Sequence, residues 1–151
     1  MIRWTPTTRV ASERPAPRVL VVDDDATFRA SLARWVARWG AGVETAYSGP
    51  SALAALAHGG VDLMILDMHM APMDGGEVLA AMVAQQDRTP VIVVSGLPVD
   101  EVLARVAEVA RAPVVTVLEK PIWWSELRAA LERALPSDGV VCPTPAGAPR
   151  S

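Results

Sequence analysis

The chain has 151 residues, of which 51% are hydrophobic, and its 14 Lys and Arg against 17 Asp and Glu leave a formal net charge of −3. This length predicts one domain, and the apolar content excludes a wholly disordered chain. The acidic balance argues against an obligatory nucleic-acid partner, and the apolar runs are too short to cross a bilayer. The single cysteine, Cys142, excludes an intramolecular disulfide, so we expect a cytoplasmic protein without membrane insertion.

Short apolar runs alternate with segments of helical periodicity along the chain, beginning at Arg18. The predicted strands cover Arg18–Val22, 43–47, 62–66, 90–94 and 114–118. The predicted helices run to Gly40, from Ser48 to near Gly59, and over 76–86, 99–111 and 123–135. This alternation predicts βαβ crossovers, and therefore an α/β fold with a doubly wound, five-stranded parallel sheet and five helices.

The first helix shows the clearest amphipathic pattern. Phe28, Leu32, Trp35 and Trp39 recur at helical spacing and predict a face that packs on the core. Asp25 stands where an N-cap residue is expected. Gly40 is a typical residue for the end of a helix.

The two ends of the chain differ from the region between them. Residues 1–17 contain three prolines, no apolar periodicity and no signal-peptide core, which predicts a flexible N-terminal arm. Residues 136–151 are rich in proline and glycine and predict a tail or linker. The predicted domain therefore covers residues 18–135.

Polar residues follow four of the predicted strands, at the points where those strands end. They are Asp23 and Asp24, Asp67, Ser95 and Lys120. Since ligands of open α/β sheets bind outside the carboxyl ends of the strands, we expect these side chains to meet at one edge.

Three carboxylates so placed repel one another and need a cation or a proton. Carboxylate and carbonyl oxygens suit Mg²⁺, with Mn²⁺ as an alternative. A carboxylate beside such an ion can attack a phosphoryl donor and form an acyl phosphate. Lys120 would supply a second cation and Ser95 a hydroxyl group.

Four stretches together resemble the receiver domain of two-component response regulators. They are Val19-Leu20-Val21-Val22-Asp23-Asp24-Asp25, Asp67 with Met73-Asp74-Gly75, Val93-Val94-Ser95-Gly96 and Glu119-Lys120-Pro121. The resemblance covers about 18–135 and implies the flavodoxin-like strand order 2-1-3-4-5.

The resemblance also implies roles for individual residues. Asp67 would be the phospho-acceptor, and Mg²⁺ would be held by Asp23, Asp24, Asp67 and the backbone carbonyl of His69. Ser95 would be the switch hydroxyl, and Lys120 would pair with the phosphoryl group. The Lys120–Pro121 bond is expected to be cis.

The function that follows is a phosphorylation-dependent signalling switch rather than an enzyme in its own right. A sensor histidine kinase or phosphotransfer protein would donate the phosphoryl group. The face made by the fourth helix, fifth strand and fifth helix would then bind a downstream protein or a second copy, and not nucleic acid. We expect a stand-alone receiver, because no segment of the chain predicts an output domain.

Two departures from the family pattern and two further positions bear on this hypothesis. Ala71 stands where the family usually has proline, which here follows at Pro72. Val117 replaces an aromatic residue that in relatives swings inward on activation. His69 and Leu97 occupy two positions that tune the lifetime of the acyl phosphate in this family.

Two other functions fit parts of the chain. Asp23-Asp24-Asp25-Ala26-Thr27 matches the D-x-D-x-T motif of haloacid-dehalogenase-like phosphatases, with Asp23 as nucleophile, but Asp67 is then unexplained. A pseudo-receiver would bind a partner without phosphorylation, which the full acidic set and Lys120 argue against.

Met68, Met70 and Met73 predict either loop packing or an adaptable binding surface. Of the adjacent Trp123 and Trp124, one should be exposed.

Overall fold

The computed structural model describes residues 15–135, so most of the expected arm and the whole expected tail lie outside the described residues. The strands are β1 Arg18–Val22, β2 Gly42–Ala46, β3 Leu63–Asp67, β4 Val91–Ser95 and β5 Val114–Glu119. The helices are α1 Ala26–Trp39, α2 Gly49–His58, α3 Gly75–Ala84, α4 Val99–Ala107 and α5 Trp124–Ala134. None of these helices has the length and apolar character needed to span a bilayer.

The five strands form one sheet in the order β2-β1-β3-β4-β5, and every neighbouring pair is parallel. The predicted α/β fold and strand order are therefore confirmed. The order places β1 and β3 side by side in the interior of the sheet, with Val22 opposite Leu66. The residues that follow Val22 and Leu66 therefore lie at the same edge of the sheet, at the carboxyl ends of these strands.

Apolar side chains pack on both faces of the sheet. Alternate residues of the inner strands point to opposite sides, so that Leu20 and Val22 face α2, α3 and α4 while Val19 and Val21 face α1 and α5. The three inner strands are buried on both faces, which explains why their sequences are almost continuously apolar. The core thus fixes the strand ends rigidly beneath the polar edge.

The first helix forms as its sequence predicts. The Asp25 side chain caps it by accepting hydrogen bonds from the backbone N–H groups of Thr27 and Phe28. Gly40 ends it with φ of 112°, a left-handed conformation that favours glycine. Trp39 is buried and Trp35 is half-buried against the same core.

Several element boundaries differ from the predicted ones. Asp67 is the last residue of β3 and not the first residue after it. The fourth helix ends at Ala107 instead of Arg111, because a short turn leads to Arg111 with φ of 65°. Trp123 is the N-cap of α5 and lies 46% exposed, whereas Trp124 is 5% exposed, which confirms that only one of the pair is buried.

Candidate functional site

The carboxyl ends of β1, β3, β4 and β5 meet around a cleft of about 340 Å³. Its lining consists of Asp23, Asp24, Asp25, Asp67, His69, Gly96, Leu97 and Lys120. Four of the residues singled out in the sequence, Asp23, Asp24, Asp67 and Lys120, are therefore neighbours in space. They are brought together because each lies at, or within two residues of, the carboxyl end of a strand of the same parallel sheet.

Asp23 is almost completely buried, with 1% of its surface exposed, and its hydrogen bonds hold it firmly. Its Oδ1 accepts a hydrogen bond from the Asp25 N–H at 2.8 Å, and its Oδ2 accepts one from Lys120 Nζ at 3.1 Å. Arg29 Nη1 donates to the Asp23 carbonyl oxygen at 2.7 Å. Both the side chain and the backbone of Asp23 are therefore fixed at the base of the cleft.

Asp67 lies beside Asp23 and is also buried, with 3% exposed. Its Oδ1 accepts a hydrogen bond from the His69 N–H at 3.1 Å, while its Oδ2 is 3.8 Å from Lys120 Nζ. Burial raises the pKa of Asp67 to about 6, and the charges of Asp23 and Asp24 add to this effect. The His69 N–H and the Lys120 ammonium favour the charged form and oppose the rise only in part.

Carboxylate oxygens of Asp23, Asp24 and Asp67 all lie within 4.8 Å of one another. Two of these residues are buried and Asp24 is exposed, so the cluster opens to solvent on the Asp24 side. Hard oxygen donors at this spacing suit Mg²⁺, which also relieves the repulsion between like charges. The donor set therefore fits the ion that the sequence predicted.

Lys120 reaches the cluster from the turn after β5. Its backbone N–H donates to the Ser95 carbonyl oxygen at 2.8 Å, which ties this turn to the end of β4. The Lys120–Pro121 bond is cis, as expected. Its ammonium group lies over the ring of Phe28, 4.1 Å from the ring centroid. Lys120 thus contacts two carboxylates and one aromatic face at once.

Ser95 ends β4 at the same edge, but the structure buries it completely. Its Oγ accepts a hydrogen bond from the Leu97 N–H at 3.1 Å, and it is Gly96 and Leu97 that line the cleft. Ser95 is therefore buried at the end of β4, and its hydroxyl oxygen is engaged by the backbone of the loop that lines the cleft.

The loop after Asp67 packs mainly inward. Met68 and Met70 are buried, with 2% and 7% exposed, and Met73 packs against them, which favours loop packing over a binding surface. The side chain of His69 is exposed. The Ala71–Pro72 bond is cis as well, so the proline at the shifted position in this loop is preceded by a cis peptide bond.

Two contacts of the first turn of α1 with the site were not predicted from the sequence. The helical periodicity predicts only a core-facing position for Phe28. The structure places the Phe28 ring beneath Lys120 and the Arg29 guanidinium on the Asp23 carbonyl. The contact between Phe28 and Lys120 has no local signal, because these residues come close only through the fold.

Comparisons with known proteins agree with this architecture. Residues 19–132 match the profile of the response regulator receiver domain. The chain is 41% identical over 108 residues to protein-glutamate methylesterase/protein-glutamine glutaminase 1 of Anaeromyxobacter dehalogenans, covering 70% of this chain and 30% of that protein. It is 38% identical over 126 residues to the response regulator MprA of Mycolicibacterium vanbaalenii, covering 81% of this chain and 53% of that protein.

Solved structures match over nearly their whole length. The chemotaxis protein CheY4 of Vibrio cholerae superposes with a TM-score of 0.72 at 28% identity, covering 80% of this chain and 100% of that one. A response regulator receiver protein from Pseudomonas putida gives 0.72 at 29% identity, with 80% and 98% covered. The chain spans only about a third to a half of the curated relatives named above. The match to the methylesterase therefore concerns its receiver part.

Receiver domains act as signalling switches of two-component systems and generally bind Mg²⁺ at an acidic pocket of this kind. The family profile covers most of the chain, and the sheet order agrees with that of the receiver domains it matches. The chain belongs to the response regulator receiver domain family.

Proposed function

We propose that this domain is a phosphorylation-dependent switch in which Asp67 accepts a phosphoryl group from a sensor histidine kinase or a phosphotransfer protein. The observation that carries this proposal is the position of Asp67 at the end of β3. There it lies next to Asp23 and Asp24 and 3.8 Å from Lys120 Nζ. Its Oδ1 accepts a hydrogen bond from the His69 N–H, which leaves Oδ2 facing the Lys120 ammonium group.

In the proposed reaction, a carboxylate oxygen of Asp67 forms a bond to phosphorus. The bond between phosphorus and the imidazole nitrogen of the donor breaks, and its electron pair stays on that nitrogen. A bound Mg²⁺ would screen the negative charges of carboxylate and phosphoryl oxygens. We assign Asp23, Asp24, Asp67 and the His69 carbonyl oxygen to this ion, because the three carboxylates converge beside the backbone that follows Asp67.

Two further side chains would respond to the new charge, which adds about −1.5 to −2 at neutral pH. Lys120 would leave Asp23 and pair with a phosphoryl oxygen, a short movement since it already contacts both aspartates. Ser95 would move toward the phosphoryl group and donate its hydroxyl hydrogen to a phosphoryl oxygen. That movement pulls Leu97, whose N–H is bonded to the same oxygen.

The acceptor is tested by mass spectrometry after treatment with acetyl phosphate and Mg²⁺. We expect the wild type to gain one phosphoryl group and Asp67→Asn to gain none, because the amide cannot act as the nucleophile. Asp25→Asn serves as the matched control, since it changes a neighbouring aspartate that caps α1. An equal mass gain in the wild type and Asp67→Asn refutes the assignment.

The ion is tested separately by calorimetric titration with Mg²⁺ and Mn²⁺. Asp24→Ala should weaken Mg²⁺ binding at least tenfold, because it removes the exposed carboxylate through which the cluster meets solvent. Asp100→Ala, on the exposed first turn of α4, should leave the affinity unchanged. Unchanged affinity in Asp24→Ala would show that the ion does not use this cluster.

The structure favours this function over a phosphatase with Asp23 as nucleophile. Both carboxylate oxygens of Asp23 already accept hydrogen bonds, from Asp25 and Lys120, and the residue is 1% exposed. A pseudo-receiver without phosphorylation is disfavoured by the intact set of Asp23, Asp24, Asp67 and Lys120 around one cleft. We propose that the chemistry of the domain is limited to accepting the phosphoryl group and losing it slowly.

The downstream partner would bind the face made by α4, β5 and α5, either as another protein or as a second copy of this chain. Leu103 on α4 and Trp123 before α5 are 49% and 46% exposed, although both are large and apolar. An exposed tryptophan is a typical anchor of a protein interface. We propose a cytoplasmic site of action, where a kinase can reach the domain.

A further inference from the structure

Three groups contact the ammonium group of Lys120, namely two carboxylates and one aromatic ring. Its Nζ is 3.1 Å from Asp23 Oδ2 and 3.8 Å from Asp67 Oδ2. The third group is the ring of Phe28, whose centroid lies 4.1 Å from the same nitrogen. Phe28 belongs to the first turn of α1, whereas Lys120 lies in the turn that follows β5.

The contact has the geometry of a cation–π interaction, in which the negative face of an aromatic ring attracts an ammonium group within about 6 Å. Such contacts gain strength when the cation is partly withdrawn from water. The Lys120 side chain is 25% exposed, and Phe28 is half-buried against the core beneath α1. The ring therefore offers a rigid surface, whereas the lysine has a long and flexible side chain.

We propose that Phe28 is a positioning residue for Lys120, and that its ring face holds the ammonium group beside Asp67 when Asp23 is engaged elsewhere. This inference rests on the proposed function, in which Asp23 contributes to an ion site and can no longer be the main partner of Lys120. The ring of Phe28 then remains as the fixed support from which the ammonium group reaches an incoming phosphoryl oxygen.

A single feature of the composition makes this inference testable with little structural change. Phe28 is the only phenylalanine in the chain, so biosynthetic incorporation of fluorinated phenylalanines alters one ring alone. Adding one, two and three fluorine atoms withdraws electron density stepwise from the ring face while its shape stays nearly constant. A contact that depends on the ring face weakens along this series, and a contact that depends on packing alone does not.

The first measurement is the rate of Asp67 phosphorylation by acetyl phosphate at saturating Mg²⁺. We expect the rate to fall with each fluorine, to a total of three- to tenfold in the trifluoro protein. Phe28→Leu should be at least as slow, and Phe28→Tyr, which keeps the ring, should recover most of the rate. Thermal unfolding of each protein checks that it is folded. A flat rate across the fluorinated series, with only Phe28→Leu impaired, would show that Phe28 acts by packing alone.

The second measurement needs no phosphorylation. The single ¹⁹F resonance of the monofluoro protein should shift on Lys120→Met and stay in place on Arg38→Met, which removes a cation from the last turn of the same helix. Mg²⁺ affinity should also fall along the fluorinated series, because a freed ammonium group competes for Asp23, and this trend should vanish in Lys120→Met. An unshifted resonance in Lys120→Met, or the same trend without the lysine, overturns the inference.

The two proposals can fail independently. If the wild type gains no phosphoryl group on Asp67, the proposed function fails, and the ¹⁹F and Mg²⁺ measurements still decide whether Phe28 holds Lys120. If the wild type is phosphorylated and the fluorinated series is flat in rate, only the role of Phe28 is refuted.

Discussion

At the scale of single residues, the site combines two buried carboxylates that differ in their surroundings. Asp23 is satisfied by the Asp25 N–H and the Lys120 ammonium group. Asp67 has one backbone donor and a more distant ammonium group, and its burial, together with the charges of Asp23 and Asp24, raises its pKa to about 6. Asp67 is therefore the member of the pair that folding places under electrostatic strain, which a bound cation relieves.

This strain predicts that Asp67→Asn stabilises the ion-free protein at neutral pH. A carboxyl group whose pKa is higher in the folded than in the unfolded state holds its proton better when folded. Its contribution to the free energy of unfolding therefore falls as pH rises from the ordinary value of 3.8 to about 6, and is lowest above that. In EDTA, the asparagine variant should match the wild type near pH 4 and exceed it by about 1–3 kcal/mol at pH 7.5.

Urea unfolding at both pH values measures this difference. Adding Mg²⁺ should stabilise the wild type and remove the advantage of the variant, since an ion that binds only the folded state adds stability by mass action. Asp100→Asn, at the exposed start of α4, should instead cause a small loss, because the helix N-terminus favours a negative charge there. An identical pH dependence of the wild type and Asp67→Asn would contradict the account.

At the scale of elements, the position of Asp67 depends on how closely α3 returns to the end of β3. The Gly75 N–H donates to the Met68 carbonyl oxygen at 3.1 Å, which closes the loop between them. A Cβ atom at Gly75 would lie 2.8 Å from the Asp67 carbonyl oxygen and 2.8 Å from the Met68 Cα atom. Both are backbone atoms, so the contact can be relieved only by moving the strand end or the helix.

Gly75→Ala should therefore lower the free energy of unfolding by about 1–3 kcal/mol, the usual range for an inserted group that the backbone must accommodate. Since the strand end moves, Mg²⁺ affinity should fall as well. Gly96→Ala is the matched control for stability, because no heavy atom lies within 4 Å of a Cβ placed there. Urea unfolding decides the outcome, and equal stability of the two variants would show that the loop is not constrained at Gly75.

At the scale of the whole molecule, the site is linked to the proposed partner surface through the end of β4. The buried Ser95 binds the Leu97 N–H through its side chain and the Lys120 N–H through its carbonyl oxygen. Leu97 precedes α4, and Lys120 precedes the loop that carries Trp123. Val117 in β5 is half-buried and lacks an aromatic ring, so this linkage does not depend on a ring that swings inward.

We therefore expect beryllofluoride, which mimics a phosphoryl group, to shift the amide NMR signals of residues 96–106 and 117–126. Ser95→Ala should abolish most of these shifts while Asp67 still binds the ligand, because the hydroxyl group is the proposed contact that distinguishes the two states. Ser48→Ala, which removes the cap hydroxyl of α2, should leave the response in both segments intact. Full shifts in Ser95→Ala would refute the proposed linkage.

Much of this architecture could be predicted from the sequence, because the determining signals are local. Apolar runs of strand length alternate with amphipathic segments, and a sheet of buried parallel strands follows from that alternation. The residues at the strand ends then share one edge by geometry alone, which explains why Asp23, Asp24, Asp67 and Lys120 were found together. The N-cap at Asp25 and the left-handed Gly40 are local in the same sense.

Tertiary structure alone decided the rest. The position of Phe28 beneath Lys120 joins residues far apart in sequence, and the complete burial of Ser95 results from the packing around the end of β4. The pKa of Asp67 is likewise raised because the surrounding strands exclude water from it. The charges of Asp23 and Asp24, which follow β1, add to this effect. Residue types and their order thus determined which groups meet at the edge of the sheet. Distances, burial and the aromatic contact came only from packing, because they depend on neighbours that no local pattern encodes.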